Sequence, residues 1–320
     1  MSKKITMNTD AFLSFDDAFS HFIRKCQTKN LSPRTIESYK YKIKSFRRYT
    51  DENGIALNDI DENTVDEYIL WLRENYKVND VSVNSNLRAV RAFTYYCMDN
   101  GNMRRFKIHI PKAEKKIKET YTEDELRVLL KKPNVKQCTF TEYKTWAFEN
   151  FLLGTGVRIS TALNVKIGDI DFHNSLICLR KTKSRVQSYI PLSKSLESVL
   201  QEYLSVRGND PEDYVFCSGT GGKGDKRTYQ KLVRDYNHAR GIKRTGCHIF
   251  RHTFAKLYIL NGGDAFRLQK LLCHSTLTVT REYVELFGQD LARDYDRLNP
   301  LDCLKGSGDT IKMPHKKRKN

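Results

Sequence analysis

A chain of 320 residues has room for two domains of ordinary size, and 39% apolar residues with 11% aromatics suffice to pack them, which excludes an intrinsically disordered protein. A formal net charge of +18 predicts a polyanionic partner, nucleic acid ahead of an anionic membrane surface. No run of about 18 apolar residues is present to span a bilayer, and the N-terminal MSKKITMNTDAFLSF lacks the apolar core of a signal peptide. Eight scattered cysteines without a CxxC pair read as small buried thiols of a reduced, cytoplasmic protein, not as a disulfide framework.

DAFLSFDDAFSHFIRKCQTK carries apolar residues at helical spacing. The next helix opens on Ser32 as N-cap with Pro33 at its first position. Ile36, Tyr39, Ile43 and Phe46 form its buried stripe, opposite a basic face of Lys40, Lys44, Arg47 and Arg48. A third helix is predicted over 62–75, with Val65, Tyr68, Ile69 and Leu72 on one side. A fourth runs from Ser82 to Asn100, stopped by Gly101, and exposes Arg88 and Arg91. Residues 12–102 therefore read as a small helical domain whose repeated basic faces contact DNA; a single such face would be an ordinary solvated one. Residues 103–119 lack periodicity and read as a basic linker, with Lys112 and Lys115 expected against phosphates, because a like-charged run repels itself without an anion alongside.

Thr122 opens a helix with a capping box to Glu125, and a longer apolar helix follows at 140–153. A glycine-rich turn then presents Arg158 ahead of a short helix. Residues 171–191 predict a β-hairpin, SLICLR returning as VQSYIPL, with KTKSR at its tip. Helices are expected at 194–207 and 227–240, a strand YVFC at 214–217, and mostly helix from His248 to Leu298. The second domain spans 120–301, and 302–320 reads as a disordered basic tail whose Lys316–Lys319 run is solvated. The expected fold class is mainly α with a small β-hairpin or sheet (α+β), without internal repeats.

The chemistry concentrates between His248 and Tyr283. Cleaving a phosphodiester needs an in-line nucleophile, cations for the charge on phosphorus and a proton for the leaving oxygen; arginines supply the charge in a planar fork. Arg251 lies three residues after His248 on one helical face, among the apolar Phe250, Phe254, Leu257 and Tyr258. A buried arginine there demands an anionic partner, and no acid lies within helical reach. Arg158 sits where backbone donors converge at a helix start. Lys183, or its competitor Lys181, at the hairpin tip is placed to protonate a leaving oxygen. His274 ends a helix, and Tyr283 follows nine residues later. A phenol, with its ordinary pKa near 10, becomes a nucleophile only beside a base or cations. His248, His252, Cys247 and Cys273 resemble half a zinc site, but Arg251 stands among them and the glutamate of a hydrolytic HExxH helix is missing, so no metal or other cofactor is expected.

GTGVRIS, KTKSRVQSYIPLS, HIFRHTFA and LLCHSTLTVTREY, in that order and spacing, closely resemble the active-site boxes of the tyrosine recombinases, the phage-integrase family, over about 120–300. Residues 12–101 resemble that family's core-binding domain. The resemblance favours Lys183 over Lys181. It implies that Tyr283 attacks a DNA phosphate to form a 3′-phosphotyrosyl bond, Arg158, Arg251 and His274 stabilise the transition state, Lys183 protonates the 5′-oxygen, and His248 assists proton transfer. It further implies a homo-tetramer on two double-stranded DNA sites, located with the nucleoid, with a C-terminal segment exchanged between subunits. The candidate is 289–298, carrying Leu291, Tyr295 and Leu298. Two positions depart from the pattern: Thr161 replaces the acid three after the first arginine, leaving open how Arg158 is held, and Cys273 replaces a glycine, a change expected to be mild because cysteine is small. Integration for a mobile genetic element is the expected task. A type IB topoisomerase and a non-catalytic DNA-binding protein remain as alternatives.

Overall fold

The structure is a computed structural model; it describes residues 13–113, 119–180, 187–273, 276, 280, 281 and 283. The chain divides into two compact units, Met1–Lys116 and Ile117–Asn320.

Among the described residues the first unit holds four α-helices. Ser14 caps α1 (Phe15–Thr28) by accepting from the Asp17 amide, and Ser32 with Pro33 starts α2 (Pro33–Glu52). Asp61 and Thr64 form a reciprocal capping box on α3 (Glu62–Tyr76), and Asn79 caps α4 (Asp80–Asp99). The α2 stripe goes inside as its spacing predicts, although Tyr39 is only partly buried. The core is aromatic: Phe15 and Phe22 meet Phe93, and Phe46 meets Tyr68, through edge and tilted ring contacts at centroid separations of 4.9–5.7 Å. The stretch expected as a linker contributes to this unit. Met103 and Ile108 enter its core, the Ile108 amide donates to the Tyr95 hydroxyl at 3.3 Å, and Asn84 donates to the Pro111 carbonyl at 2.8 Å.

The second unit is built round α6 (Phe140–Thr155), which buries Tyr143, Trp146, Ala147, Phe148, Phe151 and Leu152. Helix α5 (Glu123–Leu129) begins with the Thr122–Glu125 capping box that the sequence signals. Beyond α6 come the single turn α7 (Ile159–Ala162) and an antiparallel sheet of β1 (Ile170–Asp171), β2 (Leu176–Leu179) and β3 (Ser188–Pro191) in sequential order. The register pairs Ile177 with Ile190, so both point into the core. The hairpin tip carrying Lys181 and Lys183 lies outside the described residues. Helices α8 (Lys194–Arg207), α9 (Lys226–Ala239) and α10 (Cys247–Leu260) all pack on α6, and α11 (Ala265–Leu271) packs on α10.

One expected element is absent. Tyr214–Cys217 is not a strand but a buried connection making two isolated bridges, Lys166 with Tyr214 and Cys217 with Lys223. An apolar run satisfies a strand pattern, yet here the Val215 amide donates to the Val165 carbonyl at 3.0 Å and side chains take the segment's carbonyls. Tyr203 donates to the Val215 carbonyl at 3.0 Å, Tyr229 to Cys217 at 2.8 Å, and the buried Lys144 ammonium also to Cys217 at 3.1 Å. The proposed segments 289–298 and 302–320, with their helix and tail, lie outside the described residues.

Candidate active site

Helix α6 ends at Gly156, whose φ of 63° is left-handed. Only glycine fits: a Cβ there would stand 2.4 Å from Phe254 Cδ1 and 2.9 Å from Leu272 Cδ2. The tight reversal places Arg158 two residues on, as the N-cap residue of α7. Thr161, on the same turn, is buried and bonds through its amide to the Arg158 carbonyl at 2.8 Å, a backbone contact that leaves the guanidinium unanchored. Among the described residues no acid pairs with Arg158.

Arg251, on α10, is 4% exposed. Sequence reasoning demanded an anionic partner for it; the structure supplies backbone carbonyls instead. Its Nη1 donates to Gly156 O at 2.9 Å and its Nη2 to Leu272 O at 2.9 Å. These acceptors close α6 and α11, where helix dipoles gather negative partial charge. Burial and the neighbouring Arg158 lower its pKa to about 10, so it remains a full cation at neutral pH. Two guanidinium groups repelling one another without a carboxylate between them make a site for an anion.

His248 stands at the second position of α10, exposed at the surface, its pKa pulled down by the desolvation it does meet and then by Lys226, Arg251 and Arg158. It is therefore neutral at pH 7 in the free protein. Lys226, at the start of α9, adds a cation that no spacing in the sequence connected to this place. Tyr283 is 2% exposed and packs with Ala255, Leu268 and Leu272. Its hydroxyl lies 2.7 Å from His252 Nδ1, and the Arg251 cation is an electrostatic neighbour. The structure thus brings Arg158, His248, Arg251 and Tyr283 together; Lys183 and His274 lie outside the described residues. His252 was legible only as a potential metal ligand, and its contact with the phenol spans 31 residues.

Cys273 follows α11 with φ of 49°. The expectation of a mild replacement judged its size; the backbone matters more, since a left-handed non-glycine residue costs roughly 1–2 kcal/mol.

The proposed DNA contacts of the first unit separate into two groups. Arg47 pairs with Asp51 at 3.0 Å and lies over the Phe15 ring; Arg48 pairs with Glu52 at 2.7 Å and lies over Trp71. Lys40 pairs with Glu37 at 3.2 Å. Lys44, Arg88, Arg91 and Lys112 have no acid partner among the described residues, and Lys115 lies outside them. Lys42, missed in the sequence, bonds Ser85 across α2 and α4 at 2.7 Å, and its pKa is lowered by burial and then by Arg88.

Comparison with known proteins places the chain in a family. The chain belongs to the phage integrase family of tyrosine recombinases, enzymes that break and rejoin DNA strands: the family model matches residues 119–289, and that of the phage integrase N-terminal SAM-like domain matches residues 19–100. It is 27% identical over 295 residues to a tyrosine recombinase of Pseudothermotoga lettingae, covering 90% of this chain and 96% of the relative. It is 28% identical over 277 residues to the tyrosine recombinase XerA of Thermococcus onnurineus, covering 85% and 92%. Among solved structures, XerH bound to palindromic difH substrate superposes with a TM-score of 0.67 at 20% identity, covering 89% of this chain and 85% of that one. A lambda integrase tetramer bound to a Holliday junction gives 0.67 at 17% identity, covering 86% and 78%.

Proposed function

We propose that this recombinase works through Tyr283, which attacks a DNA phosphate, leaves a 3′-phosphotyrosyl bond and frees a 5′-hydroxyl. The carrying observation is the uncompensated pair Arg158 and Arg251 beside the Tyr283 hydroxyl. Two forks of fixed charge suit the non-bridging oxygens of a phosphodiester and stabilise the charge that grows as phosphorus becomes five-coordinate. Neutral His248 is placed to accept or relay a proton, His274 to add a further donor, and Lys183 to protonate the departing 5′-oxygen. The phosphotyrosyl bond conserves the phosphodiester linkage, so a 5′-hydroxyl from a second duplex reverses the step without a nucleotide cofactor. Lys44, Arg88, Arg91, Lys112 and Lys115 hold DNA through phosphates, with Lys40, Arg47 and Arg48 at the margin. The working assembly is a homo-tetramer on two sites, with 289–298 exchanged between subunits. The solved tetramer with which the fold superposes supports that reading. The task is integration of a mobile element, supported by the departures at Thr161 and Cys273.

The test is covalent capture. A pool of random-sequence nicked duplexes is incubated with the protein, and DNA resistant to detergent extraction is sequenced. Wild type yields an adduct on a recurring sequence and Tyr283→Phe yields none. No wild-type adduct, or an adduct that survives Tyr283→Phe, overturns the assignment, and relaxation of plasmids lacking the recovered sequence would instead favour a topoisomerase.

A further inference from the structure

Beyond the residues the family boxes supply, the nucleophile has a partner of its own. We infer that His252 is the base that takes the proton of Tyr283, an inference resting on the strand-cleavage reading above. The phenol is buried, so its hydrogen needs an acceptor within the protein. The neighbouring Arg251 is a cation without an acceptor, so it cannot take that hydrogen. His252 Nδ1 lies 2.7 Å from that oxygen, with the two ring centroids 5.8 Å apart. A neutral imidazole carrying its own hydrogen on Nε2 presents a lone pair at Nδ1, and the hydroxyl donates to it.

The placement gives one oxygen two complementary neighbours. Arg251 stabilises the phenolate that forms, and His252 removes the proton as it forms. Adjacency in sequence makes the arrangement possible: residues 251 and 252 are about 100° apart on α10, so both reach an oxygen resting on that helix's flank. In the cleavage step the Tyr283 Oη–H bond breaks and its proton passes to His252 Nδ1. The Oη–P bond forms, the P–O5′ bond breaks, and the 5′-oxygen takes its proton from the separate acid assigned to Lys183. On rejoining, His252 returns the proton to the phenol. Among the described residues, the charged and titratable groups that act on Arg251 beside the pair are Arg158 at the start of α7 and Cys273 beyond α11, with His248 on α10 and Lys226 on α9 next to the two arginines and Arg281 two residues from the tyrosine in sequence.

The experiment separates this base from the leaving-group acid. Adduct formation is measured in single turnover on the nicked duplex pool, made with either an ordinary 5′-oxygen or a bridging 5′-sulfur at the scissile phosphate. Sulfur departs as a thiolate and needs no proton. His252→Ala is expected to slow adduct formation about 100-fold or more near pH 7 on both substrates, while Lys183→Ala is slow on oxygen and recovers on sulfur. His252→Asn keeps an acceptor near the Nδ1 position without its basicity. It is expected to keep the wild-type melting temperature yet stay as slow as His252→Ala. Both variants should gain about tenfold per pH unit as hydroxide replaces the imidazole, while wild type stays flatter. Wild-type rates in His252→Ala, recovery of His252→Ala on sulfur, or full restoration by His252→Asn would each overturn the inference. Absence of any wild-type adduct would instead remove the cleavage reading on which it stands.

Discussion

Replacing Gly156 with alanine tests how the site is held together. The left-handed φ of 63° costs a non-glycine residue roughly 1–2 kcal/mol. The added methyl meets Phe254 Cδ1 at 2.4 Å and Leu272 Cδ2 at 2.9 Å, an overlap that core insertions relieve at about 1–3 kcal/mol. A less flexible unfolded chain returns about 0.4–1 kcal/mol. The net expected loss is roughly 1–4.6 kcal/mol in the second unit. Gly101→Ala is the control: its φ of 73° is equally left-handed, but nothing lies within 4 Å of the new methyl. The two tryptophans fall one in each unit, so urea unfolding followed by Trp146 in a Trp71→Phe background reports Gly156→Ala, and the reverse background reports Gly101→Ala. Gly156→Ala should also lower adduct yield, because its carbonyl is one of the two that position Arg251. If Gly156→Ala costs no more than Gly101→Ala, the packing argument is wrong.

Cys273→Gly relieves a left-handed cysteine and should raise the stability of the second unit by roughly 0.5–1 kcal/mol, after the entropy of a freer unfolded chain is subtracted; an unchanged or lower urea midpoint contradicts that. Glu149 is fully buried on α6 with neither carboxylate oxygen hydrogen-bonded among the described residues, and burial raises its pKa well above the ordinary value. The folded chain therefore holds a proton that the unfolded chain releases near pH 4.3, so stability falls as pH rises from there towards the folded pKa, by up to about 1.4 kcal/mol per unit. Glu149→Gln should flatten that dependence and be more stable than wild type at pH 8; parallel pH profiles in calorimetry would refute the assignment. Arg88→Ala and Arg91→Ala should each reduce the slope of log affinity against log salt on duplex DNA by about 0.9. Arg48→Ala, already paired with Glu52 over Trp71, should change the slope less, and equal changes in all three would contradict the division drawn from their partners.

What the sequence disclosed was local. Ser32–Pro33, the Thr122–Glu125 box and the 194–207 helix are specified within one or two turns, and each appears where the pattern places it. The ordered boxes name Arg158, Arg251 and Tyr283 as candidates, and the structure brings the three together. What escaped depends on distant pairs. The acceptors of Arg251 are backbone atoms 95 and 21 residues away, and a carbonyl leaves no trace in side-chain identity. Tyr214–Cys217 looked like a strand because burial dominates its pattern, whereas Tyr203, Tyr229 and Lys144 take the Val215 and Cys217 carbonyls that a strand partner would have paired. At Cys273 the residue type concealed the conformation, since positive φ is legible only when glycine marks it.

The two-carbonyl seat of Arg251 has a consequence for the timing of the enzyme's hazard. A protein that opens DNA is dangerous to its cell if a half-made chain can do so. Gly156, Arg251 and Leu272 meet only when the ends of α6 and α11 have both closed on α10. Until then the guanidinium lacks a seat and Tyr283 lacks its neighbours. On the reading proposed for Tyr283, a chain in which those two helix ends have not closed on α10 would hold the tyrosine without a seated Arg251 beside it.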